Sequence, residues 1–221
     1  SAVTYSSGGG KTSKVTSGAF KGRLLGGGER SRIYGTSVYG SGYPNRPSGS
    51  SGVAGQPFPY YYYPVVWEAP TSSSSHSYPP YLNATDEYGS PSNSSRPGGM
   101  LMQATLYSNT TSSTFHFLAD NSTVSSVLNI IRANCSIHGH LNNGTSSTVP
   151  VAYTGGNSSA PQVVDAVQYY RASSAVLTLE GYNNTAILST PNATAPPLPA
   201  GVDLTLLACL NATIGAAIPL V

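Results

Sequence analysis

Charge is scarce in this chain. Lys, Arg, Asp and Glu together make up 8% of its 221 residues, against about a quarter in an ordinary soluble domain. A surface so poor in charge needs another source of solubility. Cysteine is nearly absent too: Cys135 and Cys209 stand alone, which excludes a disulfide-dense miniature scaffold and a four-cysteine zinc ribbon. No apolar run reaches the ~20 residues of a membrane-spanning helix, and the tail from Ile214 to Val221 is too short. No membrane span is expected. Histidine occurs four times. His138-Gly139-His140 has no third His or Cys close by, so it reads as a solvated loop, and no metal or other cofactor is expected.

Nucleophile motifs are missing as well. No Ser lies in a G-x-S-x-G context. Gly8-Gly9-Gly10-Lys11-Thr12 imitates a phosphate loop, but the glycine that would open the motif is Tyr5, and no strand precedes it. Asp165 and Glu180 read as helix-start and strand-end carboxylates, and His116 as the outer face of a strand. No catalytic residue is expected, and the chain reads as a non-enzyme.

What the chain has in excess is Ser and Thr, 54 residues together, and Asn-x-Ser/Thr triplets. Ten of its fourteen asparagines head one: Asn83, Asn93, Asn109, Asn121, Asn134, Asn143, Asn157, Asn183, Asn192 and Asn211. Composition alone would supply about three or four. The excess points to a secreted, extracellular or cell-surface protein coated with N-glycans, which give the solubility that charge does not. An opening at Ser1 with no signal peptide fits a mature product. In an oxidising compartment the two cysteines are expected to bond. Closing a loop of that length contributes about 4 kcal/mol in the chain-entropy model.

Position matters more than number. No sequon precedes Asn83, and residues 1–57 differ from the rest in charge also. They carry Lys11, Lys14, Lys21, Arg23, Arg30, Arg32 and Arg46 against Glu29, a balance of +6. Residues 58–221 hold Arg96, Arg132 and Arg171 against three glutamates and four aspartates, a balance of −4. Head and body should attract, within one molecule or between copies. Secretion argues against nucleic acid as the partner of the basic head.

The chain divides into an extended Gly/Ser/Tyr-rich arm (1–57), a Pro/Tyr-rich segment and linker (58–99, with 71–75 exposed) and a glycosylated domain (100–221). The arm has too few apolar residues to order itself. Its strand-like island around Ile33, Tyr34, Val38 and Tyr39, with Tyr43 beyond, supplies anchors. In the domain, 101–107 and 114–118 read as strands. Val124, Val127, Leu128 and Ile131 mark an amphipathic helix over 123–134, and Cys135 extends its buried stripe. Residues 149–153 form a short strand and 175–179 a buried one. A helix is expected from Pro161, with Val163, Ala166, Val167 and Tyr170 on one face. Asp203 opens a last helix bearing Leu206, Cys209, Leu210 and Ile214. The fold class is α+β: a two-layer sandwich in ββαβαβα order, with a long N-terminal arm. The sheet face away from the helices is left for the tyrosine-rich segment or a neighbour's arm.

Several segments occur together in one known context. They are Arg32-Ile33-Tyr34-Gly35-Thr36 with Tyr39-Gly40-Ser41-Gly42-Tyr43-Pro44, Pro64-Val65-Val66-Trp67, Asn93-Ser94-Ser95-Arg96-Pro97-Gly98-Gly99, and Tyr169-Tyr170-Arg171-Ala172-Ser173-Ser174 with Gly181-Tyr182-Asn183-Asn184. In this combination the chain resembles an uncharacterised family of secreted glycoproteins from mushroom-forming fungi. The resemblance implies an extracellular, glycosylated protein and carries over no catalytic residue.

The leading expectation is a structural glycoprotein that self-assembles into a filament, the arm of one subunit lying across its neighbours by strand addition. Fifty-seven extended residues span roughly 190 Å, far beyond a domain radius of about 15 Å. Non-closing head-to-tail exchange of this kind gives open filaments. Deleting residues 1–57 would then leave a folded domain. The alternatives are a monomeric carbohydrate-binding protein whose arm folds back on its own body, using Tyr60, Tyr61, Tyr62 and Tyr63, and an enzyme built on Asp165, Glu180 or His116.

Overall fold

A computed structural model describes residues 1–47, 50–68, 78–157, 159–190 and 193–221. The head contributes two minimal strands, β1 (Ser13–Lys14) and β2 (Leu24–Leu25), and the linker one turn of helix, α1 (Thr85–Tyr88). The expected linker at 71–75 and Asn192 lie outside the described residues. The body runs β3 (Leu101–Tyr107), β4 (Thr114–Asp120), α2 (Asn121–Ser136), β5 (Val151–Ala152), β6 (Ala166–Tyr170), β7 (Ala175–Leu179) and α3 (Leu204–Ala217). Its five strands form one antiparallel sheet in the order β5-β3-β4-β7-β6. The class is mixed α+β.

The order differs from expectation at one place. Where a helix was expected from Pro161, the chain makes a single 3-10 turn, Val163–Asp165, and then strand β6. The spacing of Val163, Ala166, Val167 and Tyr170 imitates a helix, but Val and Tyr are strand formers, and pairing with β7 decides the matter.

Side chains alternate across the sheet. Following the register from Tyr170, one face carries Ala104, Phe117, Ala119, Ala175 and Leu177. Here lie α2 and α3, the latter receiving the Tyr170 hydroxyl on Asn211 Oδ1 at 2.8 Å. Both helices start on a capping aspartate: Asp120 accepts from the Thr123 N–H at 3.0 Å and Asp203 from the Leu206 N–H at 2.8 Å. The disulfide between Cys135 and Cys209 joins the two helices, with Cα atoms 5.7 Å apart.

The other face carries Leu118, Val176 and Tyr169, and Tyr39 and Trp67 pack on it. Trp67 Nε1 donates to the Tyr169 hydroxyl at 3.0 Å, and the Tyr39 ring lies 5.7 Å from that of Tyr169. Residues 33–36 continue the sheet past β6: the Gly35 N–H bonds the Tyr169 carbonyl, the Tyr169 N–H bonds Thr36 and the Arg171 N–H bonds Ile33. Val3 pairs with Leu220 near the other end of the chain.

Residues 1–57 therefore do not stand apart as an arm. Ile33 and Tyr39 are each 1% exposed and share one hydrophobic cluster with Phe58 and Leu101, so the three segments read from the sequence have a common core. Glycine also lets the head pack closely on itself. A Cβ on Gly40 would lie 2.1 Å from the Gly52 carbonyl oxygen, so the two backbones meet where no side chain fits. The attraction between basic head and acidic body is realised within the molecule by the ion pair of Arg23 and Glu87. Arg23 also lies over the Phe20 ring at 4.8 Å.

Candidate functional site

Among the described residues, two concavities lined by polar groups bear on function. The larger, about 380 Å³, lies wholly in the head and its continuation. Glu29, Arg32, Tyr34, Tyr43, Pro44 and Tyr60 line it with the backbone of Gly27, Gly28 and Gly42. The Tyr60 hydroxyl, 3.1 Å from the Glu29 carbonyl and 3.0 Å from that of Arg32, holds one wall in place. Burial pushes Tyr60 up to about 12, and lifts Tyr43 well above the ordinary tyrosine range. Both are neutral phenols at physiological pH. The lining thus offers aromatic faces, one guanidinium and one carboxylate, a set suited to a neutral polyhydroxylated ligand.

Of the residues expected to drive assembly, Tyr34 and Tyr43 line this cavity. Ile33 and Tyr39 are in the core and Val38 is half-buried. The run from Tyr60 to Tyr63 is not an exposed strip. Tyr62 covers the Arg171 guanidinium at 3.6 Å, and Tyr63 sits among Phe20, Phe58 and Tyr88. This cavity was not legible in the sequence, because its lining comes from scattered positions in glycine-rich stretches.

The second depression, about 310 Å³, brings Asp165 and Glu180 together with Ser159, Pro161 and Gly181. His116 lies beneath it, buried, with Nε2 2.8 Å from Glu180 Oε1 and Nδ1 3.1 Å from Thr105 Oγ1. The three candidate enzyme residues are therefore neighbours. Among the described residues the arrangement presents no activated nucleophile: the Ser159 hydroxyl donates to Asn157 Oδ1 at 3.0 Å and not to a base. Sequon residues Asn157 and Asn183 flank the depression.

Burial raises the Asp165 carboxyl above its usual range; the Asn183 N–H opposes this, Glu180 adds to it and His116 opposes it. A carboxylate with a raised folded pKa destabilises the fold wherever it is ionised. Asp165→Asn should therefore melt a few degrees above the parent at pH 7, at about 2–4 °C per kcal/mol. The gain should vanish below about pH 3, where both states are protonated. Calorimetry at the two pH values reads this, and an unchanged or lower melting temperature at pH 7 refutes it.

The remaining sequence candidates have other partners. His140 Nδ1 is 3.4 Å from Asp203 Oδ2, which also accepts from Ser108 and Thr110 at 2.7 and 2.8 Å. Burial works against the Asp203 carboxylate, but these bonds and the Leu206 N–H outweigh it and lower its pKa. Gly8 forms an isolated antiparallel bridge with Glu29, and the residues after it do not lead into a helix as a phosphate loop would. Among the described residues no group of three or more His, Cys, Asp and Glu gathers as a metal site, and no helix is long and apolar enough to cross a membrane.

The sequon asparagines lie at the surface. Asn83, Asn93, Asn109, Asn121, Asn134, Asn143, Asn157 and Asn183 are exposed, and Asn211 is half-buried. The head offers no sequon and presents Lys11, Lys14, Lys21 and Arg32 to solvent. Compared with protein-family models, curated proteins and solved structures, the chain matches none.

Proposed function

We propose that this chain is a secreted, N-glycosylated, non-enzymatic protein of the cell surface or extracellular matrix, of the fungal kind its segments resemble, and that it binds carbohydrate as a monomer. One observation carries the reading: the tyrosine-lined cavity lies in the one stretch of chain without sequons. The lining holds no sequon of its own, and Asn211 of the body meets it at Tyr34. The fold-back of residues 1–57 on their own body supports the monomer.

The test is retention on insoluble glucan and chitin, with the protein sized on a column beforehand. Monomeric parent protein should be retained by one of the polymers. Arg32→Ala, which removes an exposed charged donor from the lining, should weaken retention about tenfold or more. A parent protein that passes through every polymer tested ends the proposal.

Self-assembly into a filament is a second reading, supported by the main-chain bonds that residues 33–36 make to the β6 edge. The same bonds formed with a neighbour's β6 would link copies head to tail. The same column separates the readings, since exchange gives particles that grow with protein concentration.

A further inference from the structure

Tyr34 and Asn211 lie 177 residues apart in the chain and meet at the surface. The Tyr34 hydroxyl donates to the Asn211 carbonyl oxygen at 3.2 Å, and the ring lies 5.8 Å from that of Tyr170. Helix α3 is shaped to receive it. A Cβ on Gly215, one turn beyond Asn211, would lie 2.0 Å from the Tyr34 hydroxyl, so only glycine leaves room. Despite this fitted seat, Tyr34 is 47% exposed. An aromatic ring held this firmly and left half uncovered has apolar surface to offer.

The neighbouring carboxamide is oriented as well. Tyr170 donates to Asn211 Oδ1 at 2.8 Å, while Nδ2 donates to no protein group among the described residues and is open to solvent. Asn211-Ala212-Thr213 is a sequon, and the amide that would carry a sugar adjoins the exposed ring. We propose that the first N-acetylglucosamine on Asn211 lies with its C–H face on Tyr34 and clamps the head to α3. The inference rests on the glycoprotein part of the proposed function and not on its cavity.

Thr213, whose hydroxyl completes the sequon, is buried 3.7 Å from Cys135 Sγ and 3.9 Å from Cys209 Sγ. Attachment therefore precedes folding of α3 and closure of the disulfide. In that step Asn211 Nδ2 bonds to C1 of an oligosaccharide carried on a lipid pyrophosphate. The pyrophosphate leaves with the electron pair, and one amide proton is released.

The full chain, secreted from eukaryotic cells, supplies the test. Glycopeptide mass spectrometry reads occupancy at each sequon, and hydrogen exchange reads the Gly35 amide, which bonds Tyr169 across the joint. Asn211→Asp keeps an acceptor for Tyr170 and removes the sugar; Thr213→Val removes the sugar and keeps Asn211. Each should speed exchange at Gly35 about three- to tenfold, the scale of one aromatic contact. Tyr34→Leu also removes the bond to the Asn211 carbonyl and the contact with Tyr170, so it should speed exchange in every background, but by about three- to tenfold more when Asn211 carries its sugar than when the sugar is gone. An occupied Asn211 whose loss leaves Gly35 unchanged overturns the clamp. So does an empty Asn211 beside other occupied sequons, which spares the glycoprotein reading. If no sequon is occupied, both fall.

Discussion

Arg171→Met should lower stability by about 3–5 kcal/mol in urea titrations, the usual loss when one partner of a buried ion pair is removed. Arg171 is fully buried, and each nitrogen of its guanidinium donates a hydrogen bond. Nη2 donates to Asp120 Oδ1 at 2.7 Å, Nη1 to the Pro219 carbonyl at 2.9 Å and Nε to Ser174 Oγ at 2.7 Å, while the Tyr62 ring covers the plane. One side chain thus ties together the β6–β7 turn, the start of α2, the chain's last residues and the tyrosine block. Asp120→Asn keeps the helix cap and leaves a buried positive charge without its counterion, so it should cost a similar amount. The double variant should lose at least about 1.5 kcal/mol less than the sum of the two, as expected for groups in direct contact. A single-variant loss within about 0.5 kcal/mol of zero would mean that the turn is held by something else.

That turn also bears on what the sequence could reveal. Arg171, Ala172 and Ser173 have φ of 52°, 49° and 60°, three successive left-handed residues without a glycine among them. Each such residue costs about 1–2 kcal/mol on its own. The surroundings offset this: the Ser173 hydroxyl accepts from Gly40 N–H and donates to the Ser41 carbonyl, and the Ser173 carbonyl accepts from Val65 N–H. Arg-Ala-Ser-Ser reads as an ordinary polar turn, because the groups that hold it come from residues far away in sequence.

Elements that bury one regular face were legible. Strands β3 and β7 fall where β-branched and apolar residues predict them, and α2 and α3 follow their 3.6-residue stripes and capping aspartates. The stripe of α2 placed Cys135 toward the core, and from there toward Cys209. The tyrosine-rich segment was matched to the open sheet face for a sound reason, since the helices leave that face uncovered. The head was misjudged because glycine was taken as a sign of flexibility alone. At Gly40 its role is to admit a second backbone, and composition cannot separate the two roles. The cavity was hidden for the same reason, being walled by backbone from separate glycine-rich stretches.

Deletion of residues 1–57, which a freely extended arm would tolerate, should on this structure abolish the folded state. The cut removes the buried side chains of Ile33, Tyr39, Tyr43 and Val53. At about 1.5–3 kcal/mol for each large apolar side chain taken from water, the loss is about 6–12 kcal/mol. The whole stability of a domain is about 5–15 kcal/mol. The cut also leaves the Tyr169 backbone and the outer edge of β6 without their partners at residues 33–36, and an unpaired edge beside exposed aromatic surface favours aggregation. Residues 58–221 expressed alone should therefore collect as aggregates, or refold without a cooperative thermal transition by circular dichroism. A sharp transition close to the parent's would show instead that the head is dispensable. Adding residues 1–57 as a separate peptide carries the test one step further. Rescue in trans would show that the bonds to Tyr169 and Arg171 form between molecules as readily as within one, which is the physical requirement for a filament built by exchange.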